Sequence, residues 1–253
     1  MKTQTTTWIL LRGLTREQGH WGEFVARFAQ AVHPAQVVAL DLPGNGQFYQ
    51  QRSPWSVQAM VADCRAQLAQ RNIAPPYGVL AMSLGAMVSV AWSHAHPQEI
   101  AAQVLVNTSM RPFSPVYQRL RPASYAALVK LAVLRATPLE WERTVWRLTS
   151  HLADDSVLPI WLAIRHARPV SRANAFRQLV AAARFRAAAT PPLAPTLVLA
   201  SQHDALVAME CSKALAKHWQ CELRVHPSAG HDVPLDDGPW VAGQVQQWLA
   251  LFS

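Results

Sequence analysis

An α/β fold built on a mostly parallel, doubly wound sheet is predicted by three features of this 253-residue sequence. Short apolar runs alternate with helical patterns along most of the chain. Most of these runs are continuously apolar rather than alternating, as expected of strands covered on both faces. Nearly every run leads into a helix, which is the βαβ rhythm of a parallel sheet. The length fits a single core, and a composition of 51% hydrophobic and 15% charged residues favours a compact globule over disorder.

In chain order, Trp8–Leu11 reads as the first strand and Trp21–Val32 as a helix of 3.6-residue period. Val37–Leu42 is the second strand. It runs into the turn Asp41-Leu42-Pro43-Gly44-Asn45-Gly46, where glycine supplies the positive φ such turns need. A helix over Val57–Arg71 follows. The strand Tyr77–Met82 passes with almost no loop into a helix over Ser83–Ala95, and Ala102–Asn107 is the fourth strand. From Arg111 to about Thr190 the rhythm breaks. This stretch is helical, punctuated by Pro112, Pro115, Pro122, Pro138, Pro159 and Pro169, and holds no strand pattern. Strands resume at Thr196–Ala200 and Glu222–Val225, with helices over Met209–His218 and Trp240–Phe252. A helical insertion between two strands sits over the carboxyl edge of the sheet, where open α/β sheets bind ligands. The expected organisation is therefore a core of residues 1–110 and 191–253 carrying a helical cap of residues 111–190.

The net charge of +8 is concentrated in that insertion. Arg111 to Arg186 holds thirteen basic against four acidic residues, while the rest of the chain is nearly neutral. Any attraction for anions is expected there. The three cysteines, Cys64, Cys211 and Cys221, match no metal spacing and read as reduced thiols. The longest mostly apolar stretch, Val79–Trp92, is too short to span a bilayer. Lys2 and a polar run precede only a few apolar residues, so no signal-peptide core is recognised and a cytoplasmic location is expected.

Chemistry enters at Ala81-Met82-Ser83-Leu84-Gly85, where an apolar strand turns directly into a helix around a serine flanked by small residues. A serine on such a turn projects its hydroxyl above the sheet at the positive end of the helix. The backbone N–H of Leu84 then faces the place where an oxyanion would form. The alternative reading of Ser83 is an ordinary helix N-cap.

The pattern resembles the nucleophile elbow of the α/β-hydrolase family, G-x-S-x-G, with Ala81 in place of the first glycine. The resemblance covers Trp8–Ser109 and Pro195–Ser253, with a sheet shortened at its start; the cap matches no motif. It implies a Ser, acid, His order along the chain. Asp204, in the loop after Thr196–Ala200, matches the acid. His231, in Pro227-Ser228-Ala229-Gly230-His231-Asp232 after the last strand, matches the histidine. The roles implied are nucleophile for Ser83, general base for His231 and orienting carboxylate for Asp204. Of the rivals, His203 precedes the acid and lies on the wrong loop. Asp232 adjoins His231 and would have difficulty reaching its ring. Asp236 and Asp237 are expected to cap the final helix.

Leu10-Leu11-Arg12-Gly13-Leu14 stands where the family has a strand followed by His-Gly-x, so the resemblance assigns the second oxyanion N–H to Leu14. Arg12 replaces the usual histidine and is open to two roles, holding a substrate carboxylate or pinning the loop. Asp41 to Gly46 resembles the family's D-x-P-G-x-G turn and is read as structural.

A serine nucleophile argues against dehalogenase and epoxide hydrolase chemistry. The activity implied is carboxylic-ester hydrolysis through an acyl-enzyme, on a small-molecule ester. The sequence is similar to small bacterial carboxylesterases, including those that demethylate pimeloyl groups on acyl carrier protein. This leaves a second reading, a thioesterase or esterase whose anionic carrier-protein or coenzyme A substrate docks on Arg111, Arg119, Arg121, Arg143, Arg147, Arg165 and Arg168. Equally, these arginines can be solvated helix faces covering apolar surface. Met82, Trp141, Trp146 and Trp161 are candidate substrate contacts. The tryptophans, with Leu128, Leu131 and Leu134, are expected to build the cap's core and the acyl pocket wall. No dinucleotide fingerprint, phosphate loop or metal cluster is present, so no cofactor and no metal are expected. A third reading, a non-catalytic binder of nucleic acid or an anionic membrane, has no motif behind it, and no nucleic-acid partner is expected.

Overall fold

The computed structural model describes residues 7–133 and 136–252; Leu134 lies outside them. The elements run β1 (Thr7–Leu11), α1 (Phe24–Ala31), β2 (Gln36–Leu40), α2 (Val57–Gln70), β3 (Tyr77–Met82), α3 (Leu84–Ala95) and β4 (Ile100–Val106). Five helices follow: α4 (Val116–Arg119), α5 (Tyr125–Val133), α6 (Pro138–Thr149), α7 (Leu158–Ala167) and α8 (Arg172–Arg184). The sheet resumes with β5 (Thr196–Ser201), α9 (Met209–Trp219), β6 (Glu222–His226), α10 (Val233–Asp236) and α11 (Gly238–Leu249). This is the α/β-hydrolase architecture with its helical insertion between β4 and β5.

All six strands are parallel, in the order β2-β1-β3-β4-β5-β6. The inner strands are buried almost throughout, whereas the edge strands β2 and β6 are only half-buried. That explains why the inner runs read as unbroken apolar segments. Alternate residues feed opposite faces. Ile9, Leu11, Val79, Ala81, Leu105 and Val198 pack with Met60, Val61, Val88 and Leu215 from α2, α3 and α9. Trp8, Leu10, Leu80, Val104, Leu197 and Leu199 pack with Phe24, Phe28, Val241 and Val245 from α1 and α11.

The chain leaves β1 for β2 on one side and returns to β3 on the other. This places a topological switch point between β1 and β3, the position at which open α/β sheets bind ligands outside the carboxyl ends of their strands. Gly85 lets α3 come down on β1 at this point: a Cβ there would lie 2.6 Å from both the Leu11 and Arg12 carbonyl oxygens. Gly85→Ala is expected to destabilise the fold by about 1–3 kcal/mol through this overpacking, read as a lowered Tm. The Asp41 turn also forms as expected, with Gly44 at φ 90° and Gly46 at φ 51°. The Asp41 carboxylate accepts from the Gln18 and Gln47 amides at 2.7 and 3.0 Å.

The insertion is fastened to loops at the carboxyl ends of four strands. Glu142 accepts from Arg16, after β1, at 2.6 Å. Asn174 and Gln178 bond Ser53, in the chain after β2, at 2.9 and 3.0 Å. Arg121 donates to the Asp204 carbonyl, after β5, at 2.6 Å, and the Asp232 amide, after β6, donates to Thr149 at 2.7 Å.

Asp236 departs from expectation. Asp237 caps α11, accepting from the Trp240 amide at 2.9 Å, but Asp236 ends the preceding short helix α10. From there its carboxylate accepts from Ser150 Oγ at 2.5 Å, the His151 and Ala153 amides at 2.9 and 3.0 Å, and the Gly230 amide at 2.7 Å. It ties the insertion to the histidine loop.

Candidate active site

Ser83 sits at the end of β3, where its amide still donates to the Val106 carbonyl at 3.0 Å. Its backbone then turns sharply to φ 49°, ψ −113° and α3 begins. Such a conformation costs a non-glycine residue about 1–3 kcal/mol and persists where the surroundings enforce it. An ordinary N-cap has extended backbone and gives its side-chain oxygen to the helix. Ser83 does neither, because its Oγ makes no capping bond. The residue stays partly exposed while its neighbours Met82 and Leu84 are buried. Leu84 is the first helical residue, so its N–H has no partner one turn back.

The other two predicted partners meet each other. His231 Nδ1 lies 2.6 Å from Asp204 Oδ2, with both side chains buried. Asp204 is fixed in turn: its Oδ1 accepts from the Leu206 and Val207 amides, both at 2.8 Å. A carboxylate only accepts, so Nδ1 carries the proton and Nε2 is left free to take one. Burial pulls the imidazolium down, but the Asp204 charge and hydrogen bond outweigh it, and the His231 pKa is raised above 6.5.

Two residues after β4 join these halves. Thr108 Oγ1 donates to the Ser83 carbonyl at 3.0 Å, and Asn107 Nδ2 donates to the His231 carbonyl at 2.8 Å. Asn107 adopts φ 44°, and its Oδ1 accepts from the Ser201 amide at 3.0 Å. Sequence reasoning read Asn107 only as a strand end. An asparagine tolerant of left-handed backbone at the carboxyl end of a central strand is the signal that could have singled it out.

The turn after β1 closes the site from the other side. A Cβ at Gly13 would lie 3.2 Å from Ser83 Cβ. The amides beyond Leu14 are occupied, Thr15 donating to Gln178 Oε1 at 2.9 Å and Arg16 to the Gly13 carbonyl at 3.3 Å.

The chain matches the family of S33 serine aminopeptidases over residues 4–238. It belongs to this family of α/β-hydrolases. The hydrolase superimposes on an esterase from Thermogutta terrifontis with a TM-score of 0.73 at 20% identity, over 98% of this chain and 90% of that one. A structure from a study of carboxylesterases of Nitrososphaera gargenis matches with a TM-score of 0.77 at 17% identity, over 98% and 91%. A hydrolase from Pseudomonas aeruginosa PA01 matches with a TM-score of 0.73 at 19% identity, over 98% and 91%. At these identities the likeness shows the fold. Among curated proteins, none matches.

The candidate substrate contacts are mostly engaged elsewhere in the hydrolase. Both terminal nitrogens of Arg12 bond the Asp232 carboxylate, and Nη1 also meets Met82 Sδ at 3.3 Å, so the geometry favours pinning over carboxylate capture. Trp161 is buried beneath the Arg16 guanidinium, 4.0 Å from its ring centre, and Trp141 lies beneath Arg165 at 4.6 Å. Trp146 donates to the Ala153 carbonyl at 3.2 Å. Exposed His203 stacks on His151, with ring centres 4.5 Å apart. The three cysteines are free, and burial pushes the Cys64 thiol up to about 12. Among the described residues no group of three or more His, Cys, Asp or Glu could hold a metal ion, and no helix is long and apolar enough to cross a membrane.

Proposed function

We propose that the chain is a serine carboxylic-ester hydrolase in which Ser83 is the nucleophile, His231 the general base and Asp204 its orienting carboxylate. The observation that carries this reading is the strained, uncapped Ser83 linked through Thr108 and Asn107 to the His231–Asp204 pair. Ser83 Oγ attacks the ester carbonyl carbon as its proton passes to His231 Nε2. The tetrahedral oxygen accepts from the Leu14 and Leu84 amides, donors that in comparable sites contribute about 3–4 kcal/mol each. The intermediate collapses, the C–O bond to the alcohol breaks, and the alcohol takes the proton from Nε2. Water then gives its proton to Nε2 and its oxygen to the acyl carbon. Ser83 recovers the proton and the acid departs. Residues 111–190 act as a cap over this site. The mechanism needs no cofactor.

The test is turnover of p-nitrophenyl esters of increasing chain length, with fluorophosphonate labelling of Ser83. A chain-length optimum sizes the acyl pocket. Absence of both turnover and labelling would sink the reading. Faster turnover of aminoacyl p-nitroanilides would move it towards the peptidase chemistry named in the family's description.

The reaction requires neutral His231, and its pKa is raised. The acid limb of kcat/KM is therefore expected above the usual imidazole value near 6.5, with activity lost as pH falls through it. Stability runs the other way. The protonated site stabilises the fold below pH 6.5, and that contribution is lost as pH rises through the folded value. A limb at or below 6.5 would contradict the expected upward shift of His231.

The carrier-linked reading keeps one observation in its favour. Arg143 and Arg147 are exposed one turn apart on α6 and have no ion pair among the described residues. By contrast, Arg119 and Arg121 bond backbone carbonyls, and Arg165 and Arg168 pair with Glu142 and Glu17. If a carrier docks, Arg143→Glu with Arg147→Glu raises KM for the carrier ester in a salt-dependent way and leaves a small neutral ester unaffected; equal effects on both would end this reading.

A further inference from the structure

We propose that the buried Arg12–Asp232 ion pair is the positioning device of this site, clamping the Gly13 turn after β1 to the His231 loop after β6 across Ser83. The proposal rests on the roles given above to Ser83 and His231 and goes beyond them by assigning the device that sets their register. The two residues are 220 positions apart. Arg12 is the covalent neighbour of Gly13, and Asp232 that of His231. Arg12 Nη1 donates to Asp232 Oδ1 at 3.0 Å, and Nη2 donates to Oδ2. Nη1 also meets Met82 Sδ, one residue before Ser83, while the guanidinium carbon lies 4.7 Å from the centre of the Trp21 ring. The Asp232 amide is held by the Thr149 carbonyl at 2.7 Å.

A two-pronged pair fixes both distance and rotation between the chains it joins, which a lysine could not do. Packed apolar residues would stabilise such a buried contact at least as well, so its worth here lies in geometry. The site also places opposite charges around His231. Asp204 from the loop after β5 and Asp232 from its own loop favour the imidazolium, while Arg12 from the loop after β1 opposes it. Behind Arg12 stand Arg16, paired with Glu142, and His20, held neutral by burial and by the Arg16 and Arg12 charges.

The test uses the full chain and a p-nitrophenyl ester, comparing Asp232→Asn, Arg12→Met, Arg12→Lys and the double variant Arg12→Met/Asp232→Leu. The double variant leaves neither charge buried alone, so it keeps the test open if the single variants fold poorly. Loss of register is expected to lower kcat by about 10²-fold in each variant, with KM changed by less than about threefold. The acid limb moves to lower pH in Asp232→Asn and to higher pH in Arg12→Met. It stays in place in Arg12→Lys, which keeps the charge and loses the fork. These shifts report the charges around His231, whereas a loss of kcat in Arg12→Lys with its limb unmoved reports the fork, a split not expected of a contact that only holds the fold together. A folded double variant with parental kcat, or a folded Arg12→Lys variant with parental kcat, would overturn the clamp while labelling of Ser83 in the parent still stood. A parent whose Ser83 takes no fluorophosphonate removes the site reading and the clamp with it.

Discussion

Ser83→Ala is expected to lower kcat on a p-nitrophenyl ester by about 10⁶-fold, leaving only the residual catalysis that backbone donors and binding can give. The size follows from what the side chain does. Its Oγ is the atom that would bond the acyl carbon, carried on a turn held at φ 49° by its surroundings. Alanine is strained at that φ as well, so the change in stability should be small beside the change in rate. Steady-state kinetics with thermal melting separates the two. A folded Ser83→Ala variant that keeps even a hundredth of parental turnover would show that Ser83 is not the nucleophile.

The second large effect is expected at Asp204→Asn, about 10⁴-fold in kcat. The amide fills the same space, but it can present an N–H where the carboxylate accepted, which turns His231 to the wrong tautomer. The pH profile gives a second readout. The Asp204 charge and hydrogen bond are what lift the His231 pKa against burial. With them gone, burial dominates and the acid limb of the residual activity moves to lower pH. Asp204→Asn with unchanged kcat would point to another acid. Asp232 is poorly placed for that role, since its carboxylate is taken up by Arg12.

Much of the candidate site is legible in the sequence. A small-x-Ser-x-Gly turn constrains itself locally, because strand, sharp turn and helix must follow within a few residues. Asp204 and His231 were singled out by resemblance to the family's order, each lying just past the end of an apolar run. The role of Asp236 was not readable. Two adjacent aspartates before a helix look alike as caps, and which one turns away depends on the short helix α10 and on where Ser150 and His151 come to rest. The arginines of the insertion were visible as a cluster of charge. Their sorting into exposed Arg143 and Arg147 and engaged Arg119, Arg121, Arg165 and Arg168 depends on partners between 23 and 151 residues away.

What the sequence determined by itself is therefore the parallel sheet and the helical insertion, together with the local setting of the candidate residues. Hydrophobic period and turn chemistry are local properties and survive translation into structure. Tertiary structure alone decided the linkage of Ser83 to His231 through Thr108 and Asn107, and the pairing of Arg12 with Asp232 across 220 positions. Both depend on β1, β3, β4 and β6 ending at one edge of one sheet, and hydrogen bonds between chain ends so far apart leave no periodic trace in sequence.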